Sequence, residues 1–171
     1  MHVIISGYSG IGKTEASTWF DYDKFKVVEV ESSDYSKDDK WPKNYVDNII
    51  DIYNKYDDVV VLCSCHEEVR MELEKRGVGF VIIAPNETLV YEYCQRWFKR
   101  GSSIPFIRKM QKEWMSMHQS LHKHKADNIV VIYLDSHQYL SDLLGGNRIP
   151  YEEDDMDDYY LDQLDYENNK A

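Results

Sequence analysis

The sequence predicts an α/β fold, a parallel sheet of five strands covered by helices on both faces. Three observations predict it. Short apolar runs alternate with amphipathic stretches through the first 145 residues. The runs are almost continuously apolar, as strands buried on both faces are. The first run ends in a glycine loop that opens a helix, the start of a βαβ unit.

The elements follow in order. HVIIS, 2–6, is a buried strand ending at glycine, and residues 13–20 form the helix behind the loop. KVVEV, 26–30, is a second strand, followed by the polar turn ESSDYS. Pro42 suits a helix start, and the helix 43–55 places Tyr45, Ile49, Ile52 and Tyr53 on one side. The run 57–64 is the most apolar, so it predicts a central strand. Residues 66–77 form an amphipathic helix that Gly77 stops. GFVIIAP, 79–85, is a fourth strand ended by Pro85. The helix 87–100 turns Leu89, Val90, Tyr93, Trp97 and Phe98 inward. Gly101 to Pro105 break it, and a Met-rich basic helix spans 106–124. NIVVIYL, 128–134, is the fifth strand, and a last short helix, 137–144, stops at Gly145-Gly146.

The 171 residues suit a single domain. No apolar run approaches the length of a membrane span, and the N-terminus is too short and uncharged for a signal peptide. Cys63, Cys65 and Cys94 are an odd set, which predicts reduced thiols and a cytoplasmic location. The net charge of −11 argues against a nucleic-acid partner until its distribution is seen. Residues 151–171 hold nine acids and one base, Lys170, so they carry −8, while the other 150 residues carry only −3. The expected organisation is a domain over 1–145 and an acidic tail over 146–171.

Gly7-Tyr8-Ser9-Gly10-Ile11-Gly12-Lys13-Thr14 matches G-x-x-x-x-G-K-[ST] in full. Glycines let the backbone curl around phosphates with its N–H groups inward. Gly7, Ser9, Gly10, Ile11, Gly12, Lys13 and Thr14 are therefore the expected ATP-binding residues. Lys13 reaches the β- and γ-phosphates, and the Thr14 hydroxyl holds Mg²⁺.

The acceptor side is less marked. Asp34 follows the second strand and is either a catalytic carboxylate or the cap of a turn with Ser32 and Ser33; Glu31 is a second candidate in that place. The strand 57–64 ends Cys63-Ser64-Cys65-His66, with no acid where many ATPases hold one, which favours a small kinase over a motor. Arg70, one turn further on, either clamps an acceptor phosphate or pairs with Glu67 or Glu74. Arg96 and Arg100 share a helix face. With Arg108 and Lys109 beyond the break they form either a lid, about 96–109, or a solvated basic surface.

GYSGIGKT, ESSDYS with WPKNYVDNI, VVVLCSCHEEVRMEL and EYCQRWFKRGS together resemble the small phage-type P-loop kinases described as deoxynucleoside monophosphate kinase-like. The chain is similar also to nucleic-acid 5′-hydroxyl and hydroxymethylpyrimidine kinases. That resemblance implies a three-layer P-loop NTPase fold with a helical lid and strand order 2-3-1-4-5, counting the five expected strands. It implies Asp34 in the acceptor turn, Arg70 in an acceptor-phosphate helix, and Arg96 and Arg100 as catalytic lid residues beside Lys13. The expected activity is ATP- and Mg²⁺-dependent phosphotransfer to a (deoxy)nucleoside monophosphate. The alternatives are a kinase acting on a hydroxyl of DNA or RNA, and a non-catalytic nucleotide-binding protein. No membrane partner is expected.

Overall fold

Nearly uninterrupted apolar runs form the centre of the sheet. In the computed structural model, which describes residues 1–149, β1 (Val3–Gly7), β3 (Lys26–Glu29), β4 (Val59–Ser64), β5 (Phe80–Pro85) and β6 (Ile129–Leu134) make one all-parallel sheet. Their spatial order is β3-β4-β1-β5-β6. Register places Gly7 beside Ser64 on one side and Ile83 on the other, so the central strands end level with the glycine loop. The centre is dry: Ile4, Val59 to Cys63, Ile82 and Ala84 are fully buried.

Helices cover both faces, as right-handed crossovers require. α1 (Lys13–Thr18) packs on β3 and on α6 (Leu140–Leu144). α2 (Lys43–Lys55) and α3 (Glu67–Lys75) pack on each other, and α4 (Val90–Lys99) packs on α5 (Ile104–Leu121). Tyr8, Tyr93, Trp97 and Trp114 interlock beneath the glycine loop, with Tyr8 and Trp114 edge to face at 5.5 Å. This cluster fastens α4 and α5 to the loop.

Several boundaries differ from the sequence expectation, three of them with consequences for the fold. The helix expected over 13–20 ends at Thr18, where the Trp19 N–H closes on Glu15 O at 2.9 Å. The chain then enters β2 (Phe20–Asp21), which pairs antiparallel with β7 (Asn147–Arg148). The Ile149 N–H continues that contact to Trp19 O at 2.8 Å. The start of the expected tail is thus part of the folded body, while Tyr151 and everything after it lie outside the described residues. The helix expected from 106 begins at Ile104, because the Ser103 hydroxyl accepts the Phe106 N–H and Pro105 fits the first turn. Among the described residues no helix is long and apolar enough to cross a membrane.

Candidate functional site

The loop from Gly7 to Thr14 joins the end of β1 to α1. Gly10 and Gly12 take φ of 90° and 89°, a region that side chains avoid. A Cβ at Gly10 would stand 3.0 Å from Trp97 Nε1, so both dihedral and space call for glycine. The loop is pinned from outside. Trp97 Nε1 donates to Ser9 O at 3.2 Å, Arg96 to Gly10 O at 3.2 Å, and the Leu140 N–H to Ile11 O at 2.8 Å. With those carbonyls held outward, the N–H groups of Ser9, Gly10, Ile11 and Gly12 meet no acceptor among the described residues. Lys13 Nζ folds back onto the loop, donating to Gly7 O at 3.2 Å and Tyr8 O at 3.4 Å. Unpaired amides beside an ammonium form an anion-binding array. α1 is only six residues long, so the amides and Lys13 matter more than a helix dipole.

Arg96 and Arg100 occupy different environments. Arg96 is nearly buried, held by Glu92 Oε1 at 2.6 Å, Gln138 O at 2.9 Å and Gly10 O, between the rings of Tyr93 and Tyr139. It braces the loop from behind, and every one of those bonds must break before it could swing over a bound phosphate. The helical spacing that pairs it with Arg100 also puts Glu92 one turn below it. Glu92 is partly buried, which pushes its carboxyl up, but the His137 N–H, the Ser136 hydroxyl and Arg96 together hold it below the usual range. Arg100 is exposed at the rim, donating to Ser9 Oγ at 3.0 Å and Ser102 Oγ at 2.9 Å.

Arg70 is not in the cleft. It is fully buried between α3 and the end of α5, bonded to Ser120 Oγ at 2.6 Å, Ser120 O at 3.3 Å and His124 Nε2 at 2.7 Å. Glu74 reaches it only through His124 Nδ1, at 2.6 Å. The expected phosphate clamp is therefore a tie between two helices, because the last carbonyls of α5 need donors and Arg70 supplies them. Asp34 ends a 3₁₀ turn, Ser32–Asp34, and is exposed. That turn has no side-chain cap and is closed by the Tyr35 N–H on Ser32 O at 3.4 Å. The capping alternative thus has no hydrogen bond behind it.

Glu29 was not anticipated. It ends β3 and is half-buried, with Oε1 out of solvent and without a partner. Burial pushes its carboxyl up to about 7, a hydrogen bond with Glu31 adds to this, and Lys13 and the Thr14 hydroxyl oppose it. Ser64 Oγ, at the end of β4, is likewise buried and unpartnered. Glu29 lies near Lys13 and Thr14, and Ser64 stands beside Gly7 in the sheet register, so the two orphaned oxygens fit the surroundings of a hydrated divalent cation. The signal in the sequence was a single acid inside the apolar run KVVEV.

No protein-family model matches the chain, and no curated protein matches it.

Proposed function

We propose that the protein is an ATP- and Mg²⁺-dependent phosphotransferase of the P-loop NTPase fold, moving the γ-phosphate to a (deoxy)nucleoside monophosphate. One observation carries the reading: a complete G-x-x-x-x-G-K-[ST] loop at the C-terminal end of a central parallel strand, its carbonyls fastened outward and its amides unpaired. The order β3-β4-β1-β5-β6 supports it, because a crevice opens between neighbouring β1 and β4, whose outgoing connections run in opposite directions, to β3 and to β5.

The amides of Ser9 to Gly12 hold the phosphates, and Lys13 neutralises charge on the transferred group. Thr14 would hold the cation, with Glu29 and Ser64 available to its water shell. When bound, Mg²⁺ supplies charge neutralisation between the phosphates. Arg100 closes the rim, and Arg96 keeps the loop in shape. Asp34, exposed beyond β3, faces the acceptor side. A nucleoside monophosphate attacks through an oxygen that is already anionic, so the carboxylates then orient rather than deprotonate.

A second reading, transfer to a hydroxyl of DNA or RNA, draws on Glu29. A hydroxyl nucleophile needs a base, and a carboxyl pushed up to about 7 is tuned for one. Transfer of labelled γ-phosphate to a panel of nucleoside monophosphates and 5′-hydroxyl oligonucleotides tests both. Label on mononucleotides supports the first reading and label on oligonucleotides the second. ATP binding without transfer to any acceptor leaves a non-catalytic nucleotide-binding protein.

A further inference from the structure

Charge is segregated along this chain. Residues 93–112 hold six bases and no acid, so all 31 acids lie elsewhere in the sequence. The six bases fall on one packed helix pair, α4 against α5, and on the turn between them. Arg96 is engaged inside, on Glu92 and on the loop carbonyls. The other five, Lys99, Arg100, Arg108, Lys109 and Lys112, are exposed. Lys112 follows Lys109 by three residues and Arg108 by four, so these three share a face of α5. Among the described residues no carboxylate lies within ion-pair distance of Lys99, Arg108, Lys109 or Lys112, and Glu113, next along α5, is no exception. This basic surface abuts the glycine loop, because Arg100 donates to Ser9 Oγ at 3.0 Å.

The complementary charge is in the same chain. Positions 152–158 hold six acids in seven residues, and they begin three residues after Ile149, the last described residue. Ile149 is fixed. Its N–H donates to Trp19 O at 2.8 Å, and its neighbour Arg148 pairs with Glu15 at 3.8 Å. Trp19 closes the far end of α1, whose six residues span about 9 Å from the glycine loop. Residues 150–171 reach up to about 70 Å when extended. The acidic run therefore starts within reach of the basic helix pair, and the tether keeps it at roughly millimolar effective concentration. Like charges crowded in sequence repel one another, and pairing the two runs offsets both. A free polyanion such as a nucleic acid meets the tethered carboxylates first, and the net charge of −11 repels it at a distance.

We propose that the acidic run 152–158 docks on the basic surface of Lys99, Arg100, Arg108, Lys109 and Lys112 and covers the rim of the glycine loop. Docked there, it competes with phosphates for the same cations. The contact does not rest on the phosphotransferase reading; only the competition with substrate phosphates does. Exposed carboxylate–cation pairs are weak and screened by salt. The run thus holds at low ionic strength and lets go as salt rises, with little effect on stability.

The test uses the full chain and a carbodiimide, which condenses a carboxylate with an adjacent lysine amine into an amide. Linked peptides are identified by mass spectrometry. At low salt, links from 152–158 to Lys99, Lys109 and Lys112 should exceed those to Lys43 and Lys55, equally exposed on α2, by about tenfold. High salt should abolish the preference. Arg108→Glu with Lys112→Glu should cut the links at Lys99 and Lys109 about tenfold, and adding Glu152→Lys with Glu153→Lys should restore those from the remaining acids. Equal linking to Lys43 and Lys55 at low salt, or no loss in the reversed variant, overturns the docking. Mixed heavy- and light-isotope chains test whether the contact is within one chain. Heavy-to-light links at the statistical frequency mean another copy's tail is bound and overturn the intrachain contact. Tripolyphosphate is then titrated into the wild type and into a chain with the six acids of 152–158 replaced by their amides. The neutralised chain should bind about tenfold more tightly at low salt and equally at high salt. Equal binding at low salt, with the cross-links present, overturns the competition. Binding to neither chain overturns it as well and removes the phosphate-loop reading, while the cross-links still decide the docking.

Discussion

Lys13 acts electrostatically on the Glu29 carboxyl, and single substitutions separate the roles proposed for the two. Lys13→Ala removes the ammonium that folds over Gly7 and Tyr8. Turnover is expected to drop roughly 10²–10³-fold, the scale of one lost transition-state charge contact. Cooperative thermal unfolding should be retained, because the side chain packs little. Turnover above about a tenth of wild type would contradict the phosphate-loop mechanism. Glu29→Gln keeps the shape and removes the proton acceptor. Mononucleotide transfer is expected to slow about tenfold or less, since there the carboxylate only orders water. Transfer to a hydroxyl is expected to slow about 10²-fold or more. The ratio of the two losses, measured in one preparation, separates orientation from base catalysis. Asp34→Asn is the companion measurement, and a loss confined to Asp34 would move the base to the turn.

Between elements, two buried arginines act as fasteners. Arg96→Ala cuts α4 from Gly10 O and Gln138 O and leaves Glu92 without its cation. The expected loss is about 2–4 kcal/mol of stability, typical for breaking a buried charged network from one side. ATP affinity should fall with it, because the loop carbonyls are no longer held outward. A lid residue would behave differently, lowering turnover at unchanged ATP affinity. The pair also carries a pH signature. Glu92 is held below its usual range in the fold, so its contribution is present above the unfolded value near pH 4.3 and is lost as pH falls through the lower folded value. Thermal melts from pH 6 downward should show the wild type losing stability faster than Glu92→Gln in that acid window. Arg70→Met tests the other tie. With the Arg70 bonds to Ser120 and to His124 Nε2 lost, calorimetry should show a lower Tm, while ATP affinity stays within about twofold. A selective rise in acceptor KM at unchanged Tm would return Arg70 to the substrate.

For the molecule as a whole, the place where the chain is cut decides what is lost. Truncation after Leu144 removes β7 and the Ile149 contact to Trp19, so β2 loses the strand partner it has among the described residues. It also uncovers Tyr22, against which Gly146 packs too closely for any side chain: a Cβ there would sit 2.3 Å from the ring. A clear drop in Tm is expected. Truncation after Pro150 spares those contacts and removes −8 of the −11 charge. Tm should then stay within a few degrees. Acceptor binding should tighten at low salt and converge with the full chain at high salt, because only screening separates the two. Calorimetry on both truncations and a salt series on the second check this.

The five sheet strands, the helices between them and the glycine loop were legible in the sequence, because each rests on local chemistry. An apolar run, a 3.6-residue stripe, and glycines followed by Lys13 and Thr14 are properties of neighbouring residues. Arg96, Arg100, Asp34 and Arg70 were legible only as positions. Spacing placed Arg70 beside a core stripe and Arg96 in register with Arg100, but a long side chain can bury or reach out from the same backbone position. Only packing against α5 decided the first, and only the loop carbonyls decided the second. The same holds for β2 with β7, where two residues each are too few for periodicity to register. What the sequence determined by itself was the glycine loop with Lys13 and Thr14 and the strands that present it. What tertiary structure alone decided was which charges face the cleft, because burial and partner geometry depend on contacts far apart in the chain.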